Sequence, residues 1–343
     1  MFPNFYGNRP VAEALYQAVQ SGRVPQTLLL AGPQGVGKAT LARRLAAALL
    51  GEAEKIERDD LSLPENQAYI REREKWPAER RNEDPLIFAS HPDFVTFPPD
   101  GPLRQISIQQ MRLLKEMAQY KPLRGGCRVF LIDELDRANE QAANSLLKTL
   151  EEPPEHLILV ATAENVFELL PTIRSRSVIF YMTPLSQEEM AEFVRARKLS
   201  DPERRIALAE GRPGLAVSLD LEAYDRQREA MLTLLEVAAG AAPFSAWIRQ
   251  SESATVRQER LEVLLTVLYG LLRDVLVLSR DREDRFALRN ADIRPRLESL
   301  AARVDFRWLR RAVDRVDELA SLVRRNIQKN LALDALIAEL LPA

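Results

Sequence analysis

The sequence predicts an α/β domain built on a five-stranded parallel sheet, followed by a small helical unit and an all-α C-terminal domain. Three observations predict it. Five short apolar runs, Thr27–Ala31, Asp93–Phe97, Arg128–Ile132, Leu157–Thr162 and Ser177–Tyr181, alternate with helical patterns. Such alternation argues for a parallel sheet covered on both faces. A glycine-rich turn directly follows the first run and opens a helix, and after Pro184 the strand signal stops. The expected division is residues 1–183, 184–220 and 221–343. A chain of 343 residues, 46% hydrophobic and 29% charged, is long enough for two or three sizeable cores.

The first turn is Gly32-Pro33-Gln34-Gly35-Val36-Gly37-Lys38-Ala39, and the helix after it carries Leu41, Leu45 and Leu49. Glycines at this place let backbone N–H groups approach a phosphate, the helix N-terminus favours anions, and Lys38 reaches the terminal phosphates. The candidate binding residues are therefore Gly32, Gly35, Gly37, Lys38, Ala39 and Thr40. Ala39 departs from the pattern, because the residue after the lysine should carry a hydroxyl for Mg²⁺. Thr40 lies about a third of a turn further round the helix. The plainer alternative is a glycine turn kept for strand–helix packing.

The third run ends on Asp133-Glu134. A carboxylate pair at a strand end beside a phosphate loop suits metal holding through water by Asp133 and orientation of an attacking water by Glu134. The alternative is a solvated turn, since Asp136 and Arg137 make the whole segment polar. Next comes Ala142 to Leu150, a short helix whose Leu146, Leu147 and Leu150 share one face, stopped by Pro153-Pro154. Thr162 ends the fourth run, where a polar residue can face a terminal phosphate. Arg176 lies in the polar turn Arg174-Ser175-Arg176-Ser177 before the last run, and a guanidinium there can stabilise a transferring phosphoryl group, including one held by a partner. Arg174 competes for that role, and a simple surface arginine is the alternative.

The segment Gly51 to Ser90 is crowded with charge and is expected to be a solvated helical excursion or mobile insertion. Beyond Leu221 the pattern is helical throughout. Val263 to Leu278 is the most apolar long run, and Arg273 and Asp274 inside it favour a buried helix over a membrane span. Arg294, Arg296, Arg303, Arg307, Arg310, Arg311, Arg315, Arg324 and Arg325 are interleaved with acids, which favours solvated helix faces over direct DNA contact. A net charge of −2 excludes a generally basic nucleic-acid coat. One cysteine, Cys127, and two histidines, His91 and His156, point to neither a disulfide nor a zinc site, so no metal ligands are assigned. The N-terminus lacks a signal-peptide pattern, and the chain is expected in the cytoplasm.

These pieces in this order resemble the bacterial DNA polymerase III clamp-loader branch of the AAA+ ATPases, and within it the δ′ type. The resemblance is densest from His91-Pro92-Asp93 to Ser177, with Asn144 to Pro154 its most specific part. Phe5 to Pro10 resembles the family's entry, Ser175-Arg176-Ser177 stands in the place of its Ser-Arg-Cys motif, and Asn326 to Leu333 resembles its last collar helix. Gly211 to Ala216 resembles the lid segment that carries a second sensor arginine in motor subunits, with Gly214 at that site.

The resemblance implies an AAA+ P-loop domain, a helical lid and a helical collar. It implies a hetero-oligomer with γ/τ and δ subunits that loads the sliding clamp onto primed DNA, without membrane attachment. In it this chain is a stator that supplies Arg176 to a neighbouring ATPase. ATP with Mg²⁺ is the implied cofactor, left open here by Ala39. The family's zinc cysteines are missing between Gly51 and Ser90, so no zinc is expected. The rival reading, favoured by retention of Lys38, Asp133 and Glu134, is a catalytically active γ/τ-like subunit or another AAA+ ATPase.

Overall fold

The computed structural model describes residues 2–253, 256, 259–280, 287–322 and 328–341. The chain forms two compact units, Met1–Ser200 with Ala209–Ser218, and Asp201–Leu208 with Leu219–Ala343.

The first unit begins with α1 (Arg9–Gln20), β1 (Thr27–Ala31) and α2 (Lys38–Leu50). Three short helices follow, α3 (Ala53–Glu57), α4 (Pro64–Arg73) and α5 (Ala78–Glu83), then strands β2 (Phe88–His91) and β3 (Phe94–Phe97). The remaining elements are α6 (Ile108–Ala118), β4 (Arg128–Ile132), α7 (Glu140–Glu151), β5 (Leu157–Ala163), α8 (Pro171–Arg174), β6 (Val178–Tyr181) and α9 (Gln187–Ala196). The sheet order is β2-β3-β4-β5-β1-β6. The five expected strands are all present and mutually parallel. The expectation of five strands is nonetheless corrected to six, because β2 adds itself antiparallel to β3 at the sheet edge.

Every residue of β1, β3, β4 and β5 is buried, as strands covered on both faces must be. Successive side chains alternate between two cores. Leu29, Phe130 and Leu159 join Met111 and Leu114 of α6 and Leu146 and Leu150 of α7. Leu28, Leu30, Leu131 and Val160 join Leu15 of α1 and Leu41 and Leu45 of α2. Gly32 shows why the first turn needs glycine at its start. Its φ is +151°, and a Cβ there would sit 2.2 Å from the Met182 carbonyl oxygen.

The charged segment is helical and mostly exposed, as its composition suggests, but some of its charges pair inward. Arg43 on α2 pairs with Glu57 at 3.2 Å and Asp60 at 2.5 Å, and Arg44 pairs with Glu57 at 2.9 Å. Arg73 is wholly buried. It pairs with Asp100 at 2.8 Å and Asp84 at 3.2 Å, and lies 4.6 Å from the centre of the Trp76 ring. Asp59, also buried, accepts the Ser90 N–H at 3.0 Å. Asp59 and Arg73 are thus buried and Glu57 and Asp60 half-buried, which holds part of the segment against α2 and the stretch before α6 while its other charges face solvent. In the same unit, Asp93 is fully buried and accepts the Leu123 and Arg124 N–H groups at 2.8 Å each, which clamps the turn before β4.

The second unit is helical, with Leu221–Ala238, Phe244–Ser251, Leu261–Arg280, Arg294–Ala301, Phe306–Leu322 and Lys329–Leu340 around a core that includes Trp247, Leu264, Leu268, Leu297, Leu309 and Ile337. Leu261–Arg280 is a core helix, as expected of Val263 to Leu278. Its Asp274 is fully buried and accepts N–H groups of Arg289 (3.0 Å) and Asn290 (2.9 Å). Among the described residues no helix is long and apolar enough to cross a membrane. Arg296 pairs with Glu229 and Glu236, Arg294 with Glu298, and Arg315 with Glu318 and Glu339. Arg324, Arg325, Asn326 and Ile327 lie outside the described residues.

Candidate nucleotide-loop cluster and exposed arginine corner

The strand register assembles the first cluster. Ile132 lies opposite Ala161, and Leu30 lies opposite Thr162. Asp133, one step past β4, therefore comes level with Thr162, and the turn after β1 lies on the far side of the same strand. Thr162 Oγ1 donates to Asp133 Oδ1 at 2.6 Å and accepts the Glu134 N–H at 2.8 Å. Glu134 adopts a left-handed backbone, φ +55°, which turns the chain sharply after the strand. Its carboxylate pairs with Arg137 at 2.5 Å. Burial pushes the Glu134 carboxyl above the usual range, and the Asp133 charge adds to the effect, while Arg137 opposes it.

Lys38 is the first residue of α2 and is buried. Its ammonium donates to the Gly32 carbonyl at 2.6 Å and the Pro33 carbonyl at 2.9 Å, so it folds back onto its own loop. Burial lowers its pKa, against the pull of Asp133 and the neighbouring acids. Gly35 and Gly37 have φ of +84° and +99°. Such turns aim successive N–H groups into a concavity suited to a phosphate. Ala39 brings no hydroxyl, and its methyl packs on the α1/α2 core. Thr40 is half-buried.

Gly214 meets this loop directly. Its N–H donates to the Gly35 carbonyl at 2.8 Å, and a Cβ at 214 would lie 3.1 Å from the Gly35 Cα and oxygen. Only glycine allows so close an approach without displacement. The guanidinium nearest along this segment belongs to Arg212, which donates to Ala209 O at 3.1 Å.

Arg176 is not brought to that cluster. β6 runs parallel to β1 with Val178 opposite Leu28, so Arg176 is level with residue 26. Gly32 is six residues further along β1, which at strand spacing is about 20 Å. The glycine-rich loop is at one end of the sheet and Arg176 at the other. Arg176 is exposed, donating to Glu151 at 2.8 Å and to the Thr172 carbonyl at 3.1 Å. Arg174 is half-buried, with its guanidinium 5.5 Å from the centre of the Phe167 ring. Sequence reasoning grouped Lys38, Asp133, Glu134 and Thr162 and set Arg176 apart. It did not find Glu151 as a partner of Arg176 or Arg137 as a partner of Glu134. The first pair is 25 residues apart, with no sequence signal, whereas the second has the i, i+3 spacing of a local ion pair. Among the described residues no group of three or more His, Cys, Asp or Glu side chains is placed to hold a metal ion.

Comparison with known proteins bears on this arrangement. A family profile described as DNA polymerase III, delta subunit, matches residues 79–186. The DNA polymerase III subunit gamma of Buchnera aphidicola (Acyrthosiphon pisum, strain APS) is 31% identical over 195 residues, 57% of this chain and 48% of that protein. The subunit delta′ of Escherichia coli K12 is 26% identical over 271 residues, 78% of this chain and 75% of that protein. The subunit tau of Escherichia coli K12 is 31% identical over 189 residues, 55% of this chain and 26% of that protein. The chain thus spans about half the length of the gamma relative and about a quarter of tau. A gamma subunit-related protein from Thermotoga maritima MSB8 superposes over 96% of this chain and 98% of its own, with a TM-score of 0.47 and 17% identity.

Proposed function

We infer that this chain, which belongs to the clamp-loader family of DNA polymerase III subunits, is its δ′-type stator and presents Arg176 to the nucleotide of an adjoining γ/τ-type ATPase. The observation that carries this reading is the position of Arg176. It is solvent-exposed and about 20 Å along the strands from the chain's own phosphate loop, so the nucleotide it can serve belongs to another subunit. An arginine supplied in trans is a recurrent way of neutralising charge on a transferring phosphoryl group.

The chain's own loop supports an outward role. Its backbone and Lys38 fit a phosphate, but position 39 offers a methyl where Mg²⁺ needs a hydroxyl, and Gly214 offers no guanidinium. The fit is to a phosphate group and not to a metal-bound triphosphate. The partners in this reading are γ/τ-type and δ-type subunits, with the sliding clamp and primed DNA engaged by the complex in the cytoplasm.

One observation favours a second reading, a motor subunit with its own turnover. Thr162, Asp133 and Glu134 form a connected hydrogen-bonded cluster, and the Asp133 charge acts on Lys38. Lys38→Ala in the reconstituted complex separates the two, and ATP turnover by the isolated chain is a one-sided check, because a motor deprived of a neighbour's arginine is also slow. We expect less than about 1 s⁻¹, below ordinary enzyme rates, with or without primed DNA. Faster turnover assigns the motor reading. In the reconstituted complex, Lys38→Ala is expected to leave clamp loading unchanged within about twofold, since uniform binding at an idle site contributes nothing to the rate-limiting chemistry. A large loss makes this loop catalytic.

A further inference from the structure

We propose that Glu151 is a positioning residue for Arg176, holding the exposed guanidinium in a restricted set of orientations before a neighbour's nucleotide arrives; this rests on the reading of Arg176 as a finger that acts in trans. The groups around Arg176 fall into two classes. The Thr172 carbonyl (3.1 Å) and Ser175 Oγ (3.4 Å) both meet Nη1 and belong to the same turn as the arginine. Glu151 meets the other terminal nitrogen, Nη2, at 2.8 Å from a separate element. It is the last residue of α7, whose Leu146 and Leu150 are anchored in the core. The prolines after it end the helix, so Glu151 is fixed to the framework while Arg176 projects from a turn.

The location of this carboxylate is unfavourable for the helix that bears it. The last turn of a helix carries partial negative charge and disfavours an anion. Glu151 therefore contributes to its own helix less than a neutral residue would, and its pairing with Arg176 is what the position supplies.

Magnitudes decide between a latch and a guide. The two side chains are 34% and 49% exposed. Exposed ion pairs shift an equilibrium by no more than about fivefold, whereas an arginine finger accelerates phosphoryl transfer by at least about 10³. The pair is too weak to withhold the finger. It does restrict a side chain with many rotamers, and immobilising such a side chain at an interface costs about two- to tenfold in equilibrium. Glu151 meets part of that cost in advance.

The test is ATP turnover by the full complex reconstituted from this chain and its γ/τ-type and δ-type partners. Glu151→Ala is expected to lower kcat at the affected site by about two- to fivefold and to leave KM for ATP within about twofold. Glu151→Gln keeps an acceptor oxygen and is expected to recover most of the loss. Combining Glu151→Ala with Arg176→Ala is expected to give the Arg176→Ala rate, because Glu151 acts only through the arginine. Full activity of Glu151→Ala beside a strong loss in Arg176→Ala overturns the positioning role and leaves the finger standing. Faster turnover in Glu151→Ala makes the pair a latch and overturns the proposal. A further loss in the double variant marks a general structural effect and also overturns it. Full activity of Arg176→Ala removes the finger reading, and the role of Glu151 falls with it.

Discussion

Replacing Arg176 by alanine is expected to lower ATP turnover at the adjoining subunit's site by on the order of 10³, with the complex still assembled. The size follows from what the guanidinium does. Charge spreads over the transferred phosphoryl oxygens in the transition state, and a planar donor brought within reach stabilises that charge far more than it stabilises bound ATP. The loss should therefore fall on kcat and not on KM. Assembly should survive because Arg176 is exposed and its partners within this chain are a surface carboxylate, a carbonyl and the Ser175 hydroxyl, whose loss costs the fold little. Arg176→Lys should rescue poorly, since an ammonium lacks the fork that meets two oxygens together. Steady-state hydrolysis by the complex, with subunit stoichiometry checked by gel filtration, measures both parts. A complex containing several ATPase sites will keep the turnover of those that Arg176 does not reach.

Arg73→Ala is expected to destabilise the first unit by about 3–5 kcal/mol, the typical cost of removing one partner from a buried ion pair. Asp100, whose side chain is 9% exposed, loses its cation, and the guanidinium stacked 4.6 Å from the Trp76 ring centre is replaced by a void. Arg73→Lys should recover only part of this, because a single ammonium cannot engage Asp84 and Asp100 and stack on Trp76 together. Denaturant unfolding followed by tryptophan fluorescence measures the loss. A change within about 0.5 kcal/mol, the range of surface substitutions, would show that Arg73 does not anchor the segment.

The contrast between strands and insertion shows what the sequence makes legible. β1, β4 and β5 are buried on both faces and read as continuous apolar runs, so their existence and order of appearance are plain. β2 is Phe-Ala-Ser-His at the sheet edge, with only His91 fully buried, and no periodicity announces it. The residues 51–90 carry many charges, and composition alone assigns charge to solvent. Which of them turn inward depends on partners far along the chain that only the fold brings near, Arg43 for Glu57 and Asp60, Ser90 for Asp59 and Asp100 for Arg73. At the candidate site, residue types and spacing single out Lys38, Asp133, Glu134 and Thr162, which come near one another because a parallel sheet brings the ends of neighbouring strands together. Spacing does not reveal that Lys38 turns back onto Gly32 and Pro33, or that Gly214 meets Gly35 backbone to backbone. Both are conformational facts about side chain and loop. The separation of Arg176 from the loop follows from topology: the turn before β6 and the turn after β1 lie at opposite ends of parallel neighbours.

The most direct measurement is the position of Arg176 in the assembled complex, determined by electron cryo-microscopy with a non-hydrolysable ATP analogue bound. A guanidinium nitrogen at about 3 Å from a terminal phosphate oxygen of an adjoining subunit, ordinary hydrogen-bond distance, is the expected result. An Arg176 facing solvent, or packed on a subunit surface more than about 10 Å from any nucleotide, where exposed charges are screened, would contradict it.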